Sequence, residues 1–348
     1  MPIFRAEMCR RLWWQIHLLN RHFTNICDGV DNTDSAHITL FDTKRPLNLN
    51  DADLHPDMMV LPIERQGLTE MAFCSVRYEI GDFVRRLSSE NWSQQDKVIG
   101  IHQLEKTLEE KFASYCDGSI PLQRVTRCLI KTTVYRLSLI HCHGLLTIHE
   151  DTTTENKVQI FATALLLLQT QNASCSNPML DRYRWHTKLF YCTEALFPVL
   201  HGLAFDSLDE TDETEAWKQV SLAYQYNPEL LSGKSNVLHK DLCTSLLKLV
   251  STAWSRRRSR ENTSTASIPP DFVDIMSSYP TLPVNTELHG SSIAPWQTDA
   301  SLQESFGLEQ LPNATAIDSS SNQHSLADDN QAWEHWLNLL NNDALLDF

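Results

Sequence analysis

Apolar residues recur at Met8, Leu12, Ile16, Leu19, Phe23 and Ile26, at gaps of three and four that line one stripe of a helix. Arg10, Arg11 and Arg21 fall mainly off that stripe. The pattern predicts an amphipathic helix whose apolar face needs a partner, either a repacked domain or another chain. Asp28-Gly29 supplies a stop, and residues 30 to 67 read as an ordered loop with turn signals at Asp31-Asn32, Arg45-Pro46, His55-Pro56 and Leu61-Pro62. Helical periodicity then resumes. Thr69 is placed to cap a helix to about Ser88 with Phe73, Val76, Ile80, Phe83 and Leu87 on one face. Ser93-x-x-Asp96 forms a capping-box pattern ahead of a stripe through Val98, Ile101, Leu104, Leu108, Phe112 and Tyr115. Pro121 opens a long helix to about His149, and another spans Glu155 to Gln171. One from about Pro178 to His201 is expected to break or bend near Pro198, and two more cover Asp212 to Tyr226 and Ser235 to Arg257. No period of 20 to 50 residues repeats. The fold class expected is all-α, an irregular multi-helix domain over 1–260.

Beyond Ser259 the texture changes to Ser, Thr, Asn and Pro with isolated apolar residues, so 261–330 reads as a disordered linker. Residues 331–348 form an acidic, aromatic, amphipathic segment in which Trp333, Trp336, Leu337 and Leu340 share a helical face.

Charge sharpens that division. The chain carries 44 acidic and 29 basic residues; 13 of the acids and none of the Lys or Arg lie beyond residue 260. Such a tail repels a phosphate backbone, so no direct DNA contact is expected from it. The nine cysteines, at 9, 27, 74, 116, 128, 142, 175, 192 and 243, are never closer than twelve residues. That excludes zinc-ligand spacing within the chain and reads as reduced thiols of a cytosolic or nuclear protein. The longest apolar window, Ile160 to Leu168, is far short of the roughly 20 residues a membrane span needs, so no membrane partner is expected.

Candidate chemistry is sparse. His141-Cys142-His143 places its two histidines at i and i+2, on different faces of a helix, and His149-Glu150 lacks a second histidine four residues away. No nucleophile elbow, phosphate loop or dinucleotide fingerprint occurs. No catalytic, cofactor-binding or metal-ligating residue is therefore assigned, and the protein is read as a non-enzyme.

Taken in order, Glu7-x-x-Arg10-Arg11-Leu12-Trp13-Trp14, then Asn20-Arg21, Gly29, and Asp42-x-x-x-Pro46-Leu47-Asn48-Leu49-Asn50-Asp51-Ala52-Asp53-Leu54 resemble the middle homology region of fungal zinc-cluster transcription factors. The stretches Thr69–Phe73, Arg77–Ile80, Leu104-Glu105 and Glu109–Phe112 with Tyr115-Cys116-Asp117 resemble the helices that follow. The likeness covers about residues 4 to 260. Asn20 stands where the family usually has Asp, which removes an ion pair with Arg21. The six-cysteine binuclear zinc cluster, and the first helices of the regulatory domain, are not within these residues, so zinc is implied only if a cluster lies upstream of Met1.

The resemblance implies a nuclear regulator of transcription, pathway-specific and of the kind that controls secondary metabolism. It would act on transcription machinery or coactivators, with homo- or heterodimers among relatives as a further expectation. Two alternatives stand beside it: a non-DNA-binding or dominant-negative protein that pairs with full-length relatives, and a fragment of a longer DNA-binding factor. For Glu7, Arg10, Arg11, Leu12, Trp13, Trp14, Arg21, Asp42, Pro46, Asp51 and Asp53 the reading is structural: the tryptophans anchor a core while the arginines pair with Asp51 or Asp53. A small-molecule effector pocket is compatible with the family but not located by sequence. Arg256, Arg257, Arg258 and Arg260 are read either as favourable cations at a helix C-terminus or as a nuclear-import signal. Trp333, Trp336, Leu337 and Leu340 either dock back on the domain or form an acidic activation segment.

Overall fold

The computed structural model describes residues 1–26, 43–142, 154–206, 208–228 and 237–260. Among them there is no strand, and the protein is all-α. The helices are α1 (Ile3–Ile26), α2 (Ala72–Ser89), α3 (Gln94–Lys111), α4 (Pro121–Leu137), α5 (Thr154–Cys175), α6 (Arg184–Leu189), α7 (Leu196–Phe205), α8 (Glu210–Tyr226) and α9 (Val237–Arg260). The segment 331–348, with Trp333, Trp336, Leu337 and Leu340, lies outside the described residues, as does the linker before it.

Local chemistry explains most of the starts. The Ser93 hydroxyl accepts from the Asp96 backbone N–H while the Asp96 carboxylate reaches back to Ser93 N, a reciprocal capping box on α3. Pro121 occupies the first turn of α4, where its missing N–H costs nothing. Asp209 accepts from Asp212 N at 2.7 Å and caps α8, whose first turn carries Glu210, Asp212 and Glu213 against the positive end of the helix.

Three expectations are corrected. Thr69 does not cap α2, which begins three residues later behind Met71; its hydroxyl instead accepts from Met71 N and donates to Asn48 Oδ1. The run from Pro178 is a 3₁₀ turn followed by the short α6. It breaks at Phe190–Cys192 rather than at Pro198, because Pro198 sits in the first turn of α7, where it is tolerated. The α4 helix ends at Leu137 and widens into a π-turn over Ser138–Cys142. That turn holds His141 and Cys142; His143 lies outside the described residues.

Packing divides into two main cores. Val76, Ile80, Phe83, Ile101, Leu104, Leu108, Ile130 and Leu137 fill the space between α2, α3 and α4. The second core gathers α5, α7, α8 and α9 around Phe161, Leu168, Leu196, Leu200, Val220, Tyr224 and Val250. Trp217 and Trp254 meet edge-on at 5.6 Å within it. Where α7 meets α5, a Cβ added at Gly202 would lie 2.5 Å from the Phe161 ring, so that contact requires glycine.

A buried ion pair bridges the two cores, and a polar network ties elements within the second. Arg136 of α4 pairs with Glu194 just before α7, both buried. Asn172 donates to Gln219 O and Oε1 at 2.9 and 2.8 Å and accepts from the Tyr191 hydroxyl at 2.9 Å. With donor and acceptor capacity matched, these contacts fix the register of α5 on α8.

Two histidines, His141 and His186, sit where burial favours the neutral ring. Lys97 beside His141 and Arg77 beside His186 add to that effect, and both pKa values fall to about 4. The ordinary histidine value is near 6.5, so between pH 6.5 and 4 the unfolded chain takes up protons that the folded chain refuses. Stability is therefore full above pH 6.5 and declines as pH falls. Urea denaturation followed by far-UV circular dichroism is expected to show about 1–2 kcal/mol less stability at pH 5 than at pH 7 from His186 alone. His186→Phe should flatten that part of the slope.

Candidate functional site

The residues of the sequence motif converge where α1 meets the 43–71 segment and α2. At the centre is Glu7, whose side chain has 0 % exposure. Its Oε1 accepts from Leu47 N at 2.9 Å, its Oε2 from Arg10 Nη1 at 3.0 Å, and Arg11 Nε stands 3.9 Å away. A carboxylate taken out of water this completely needs donors and counter-charge, and Glu7 has one hydrogen bond on each oxygen and two arginines alongside.

From Glu7 the contacts spread outward. Arg11 reaches Asp51 at 2.8 Å. Asp53 is held by Arg65 through two contacts, at 2.6 and 2.5 Å, so Asp53 serves Arg65 rather than Arg10 or Arg11. The hydrogen bonds and charge of Arg65 hold the Asp53 carboxyl below the usual carboxylate range. Trp14 donates its indole N–H to Lys44 O at 3.1 Å, and its ring packs on Tyr78 of α2. Arg45 pairs with Glu79, which also receives Lys111 at 3.0 Å.

Asn48 organises the loop. Its amide nitrogen donates to Arg65 O and Gly67 O at 3.0 and 2.8 Å, and its backbone N–H donates to Glu64. Gly67 adopts φ +82°, and a Cβ there would also press on Tyr115 at 3.2 Å. Pro46 and Leu49 are buried beneath the loop. Asn50 and Asp51 close it onto α2 through Glu70, whose N–H donates to Asn50 and whose carboxylate accepts from Asp51 N. Apart from a 3₁₀ turn at Asp51–Asp53 the segment is irregular, and these side chains take up the backbone N–H groups of Leu47, Asn48 and Asp51.

The face of α1 that docks differs from the one its sequence pattern selects. Glu7, Trp14, His17 and Leu18 are buried, with Trp13 packed beside them, and Gly81 of α2 lets Leu18 approach. Met8, Leu12, Ile16 and Leu19 are 42, 62, 56 and 42 % exposed. The polar and aromatic side has specific partners in the 43–71 loop and α2, and satisfying them turns the aliphatic stripe outward. Arg21, in terms of its side chain, and Asp42 lie outside the described residues.

The basic cluster near the end of α9 is partly engaged. Arg257 lies over the rings of Trp217 and Trp254 at 6.0 and 5.7 Å, and Arg260 pairs with Glu213 at 3.0 Å. These contacts bind the last turns of α9 to α8. Arg258 is exposed.

The junction offers positioning, not group transfer. Its carboxylates are engaged by arginine, lysine or backbone N–H, and no three His, Cys, Asp or Glu converge on a metal position among the described residues. Buried thiols are held protonated: burial pushes Cys192 up to about 12 and raises Cys74, Cys116 and Cys175. Sequence reasoning missed Asn48, Arg65, Glu70 and Glu79 as members of the junction, although Asn48 stood inside the quoted motif.

Similarity to known proteins extends over most of the chain. The aurofusarin cluster transcription factor aurR2 of Gibberella zeae is 29 % identical over 283 residues, covering 77 % of this chain and 41 % of the relative. The transcriptional regulator AacuB of Aspergillus aculeatus is 27 % identical, covering 63 % of this chain and 31 % of its own. The C6 finger domain transcription factor nscR of Arthroderma gypseum is 25 % identical, covering 96 % and 52 %. The homologues of this chain are fungal transcription factors. The chain spans about half or less of the length of these relatives. No family model matches it, and no solved structure matches it.

The buried carboxylate gives a direct test of the junction. Glu7→Ala is expected to lower stability by about 2–4 kcal/mol, because Arg10 and Leu47 N–H lose their acceptor and Arg11 loses a counter-charge. Glu7→Gln should cost less, since one oxygen remains for Leu47. Urea denaturation monitored by tryptophan fluorescence measures both, and limited proteolysis should show faster cleavage within residues 43–67 in the alanine variant.

Proposed function

We propose that this chain is the helical regulatory part of a pathway-specific fungal transcription regulator and acts through protein contacts rather than through DNA. The supporting observation is the match to named transcription factors over most of the chain, together with a motif that builds a packed junction instead of a reactive site. The partners are components of the transcription machinery or coactivators, met by the acidic segment carrying Trp333, Trp336, Leu337 and Leu340. The names of relatives refer to biosynthetic clusters, and control of such a cluster is the form of regulation proposed. Nuclear entry would use Arg256, Arg257, Arg258 and Arg260, and a carrier would have to compete with α8 for Arg257 and Arg260.

Tethering tests this. The full chain, fused to a fluorescent heterologous DNA-binding domain without an import signal of its own, is expected to enter the nucleus and drive a reporter. Joint Trp333→Ala and Trp336→Ala substitution should cut the reporter about tenfold, the loss that removing anchoring aromatics from a groove produces. A reporter unaffected by the tail substitutions overturns the activation role, and cytoplasmic fluorescence overturns the import role.

The outward stripe of α1 supports a second reading, pairing with another copy or a relative. Sedimentation or light scattering of the purified chain should then show an assembly larger than a monomer. Leu12→Glu with Ile16→Glu should dissolve it while leaving helicity intact. A monomer at high concentration rules this reading out.

A further inference from the structure

Paired arginines stand three and two residues ahead of a serine at two places in the chain, Arg85-Arg86-Leu87-Ser88 and Arg256-Arg257-Arg258-Ser259. A protein kinase whose peptide groove is lined with carboxylates reads such arginines, and it takes its substrate as an extended segment rather than a helix. The two sequences are alike in this respect, and the fold separates them.

In α2 the stretch is tied down. Arg85 pairs with Asp82 at 2.9 Å, while Arg86 stands 3.6 Å from the same carboxylate and lies over the Phe83 ring at 5.8 Å. Leu87, between Arg86 and Ser88, is 7 % exposed and belongs to the first core. Drawing this stretch out straight pulls an apolar side chain from that core, so it is closed to a kinase in the folded protein.

The end of α9 is built differently. Ala253 and Trp254 are its last core residues, and none of the six that follow in the helix is apolar. Arg258, Ser259 and Arg260 are exposed. The Ser259 hydroxyl donates back to Ser255 O at 2.9 Å, a bond that leaves its own oxygen lone pairs unused. The last carbonyls of a helix have no N–H partner within it, so a final turn opens readily. What holds this one is polar: Arg257 over Trp217 and Trp254, and Arg260 on Glu213. Ser255, one turn earlier and also exposed, follows Ser251, Thr252, Ala253 and Trp254 and has no arginine ahead of it in that turn.

We propose that Ser259 is a phosphorylation site for an arginine-directed protein kinase, and that the phosphate releases the end of α9 from α8. Ser259 Oγ forms a bond to the γ-phosphorus of a nucleoside triphosphate, and the bond from that phosphorus to the β,γ-bridging oxygen breaks. The hydroxyl proton passes to a carboxylate of the kinase, and the nucleoside diphosphate leaves. The product carries a charge of about −1.5 to −2 at pH 7, set at the negative end of the α9 dipole. The first turn of α8 adds to the repulsion, since it holds Glu210, Asp212 and Glu213. Arg256, three residues back on the same helical face, and Arg260 then serve the phosphate, and Glu213 loses its cation. The release falls where the helical domain passes into the acidic remainder of the chain. The site rests on the arginines and on the packing of α9, not on the transcriptional reading.

The probe is the full chain with ATP and the catalytic subunit of cyclic-AMP-dependent protein kinase, followed by peptide mass mapping. A single phosphate is expected, on Ser259, with Ser88 and Ser255 unmodified. Arg256→Gln should slow labelling about tenfold, the loss of one charge-assisted contact to the kinase, whereas Ser255→Ala should leave the rate unchanged. Glu213→Gln, which frees Arg260 from α8, should speed it about two- to fivefold, the worth of a surface ion pair. Hydrogen exchange read by mass spectrometry should be faster over 252–260 in the phosphorylated chain than in the unmodified one. A phosphate that stays off Ser259, or that goes to Ser88 in preference, overturns the site. Phosphorylation at Ser259 with unchanged exchange in the last turns of α9 overturns the release.

Discussion

The buried carboxylate of Glu7 is the constraint on which the first part of the structure depends. A charge withdrawn from water must be met by donors and counter-charge, and here Arg10 of the same helix and Leu47 of the loop donate while Arg11 adds positive charge at 3.9 Å. That requirement fixes the rotation of α1 about its axis. With Glu7, Trp14 and Leu18 turned inward, the 3.6-residue period carries Met8, Leu12, Ile16 and Leu19 outward. The outward aliphatic stripe thus follows from an electrostatic and hydrogen-bonding demand, not from any failure of hydrophobic patterning.

The remainder is held by a different balance. Each half has an aliphatic and aromatic core; a buried Arg136–Glu194 pair bridges the halves, and Asn172 with Gln219 and Tyr191 forms a polar network inside the second. Apolar surface supplies most of the stabilisation because it is non-directional and scales with area. The polar contacts add direction, selecting one docking of α5 on α8 among the many that burial alone would accept.

These features describe a scaffold that positions surfaces. Cys116, Cys175 and Cys192 are buried thiols whose pKa values are raised, the carboxylates of its junction are tied to arginine, lysine or backbone N–H, and Arg257 and Arg260 at the end of α9 clasp tryptophans and Glu213. A helical framework of this kind suits a regulator whose output is the availability of a surface or segment, consistent with relatives that are transcription factors.

The sequence by itself determined the helical class and the start of α3 at Ser93 and of α4 at Pro121, because capping, proline geometry and periodicity act within a few residues of one another. It also brought the Arg-Arg-Leu-Trp-Trp helix and the Pro-Leu-Asn-Leu-Asn loop together as one motif. Tertiary structure alone decided which arginine meets which acid, since Asp51 lies 40 residues from Arg11 and Asp53 turns to Arg65 instead. It decided that Thr69 supports the loop rather than caps α2, and that the chain breaks before Cys192 rather than at Pro198. Periodicity reports how apolar a face is; which face is buried depends on the partners that other parts of the chain bring to it, and for α1 those partners were polar.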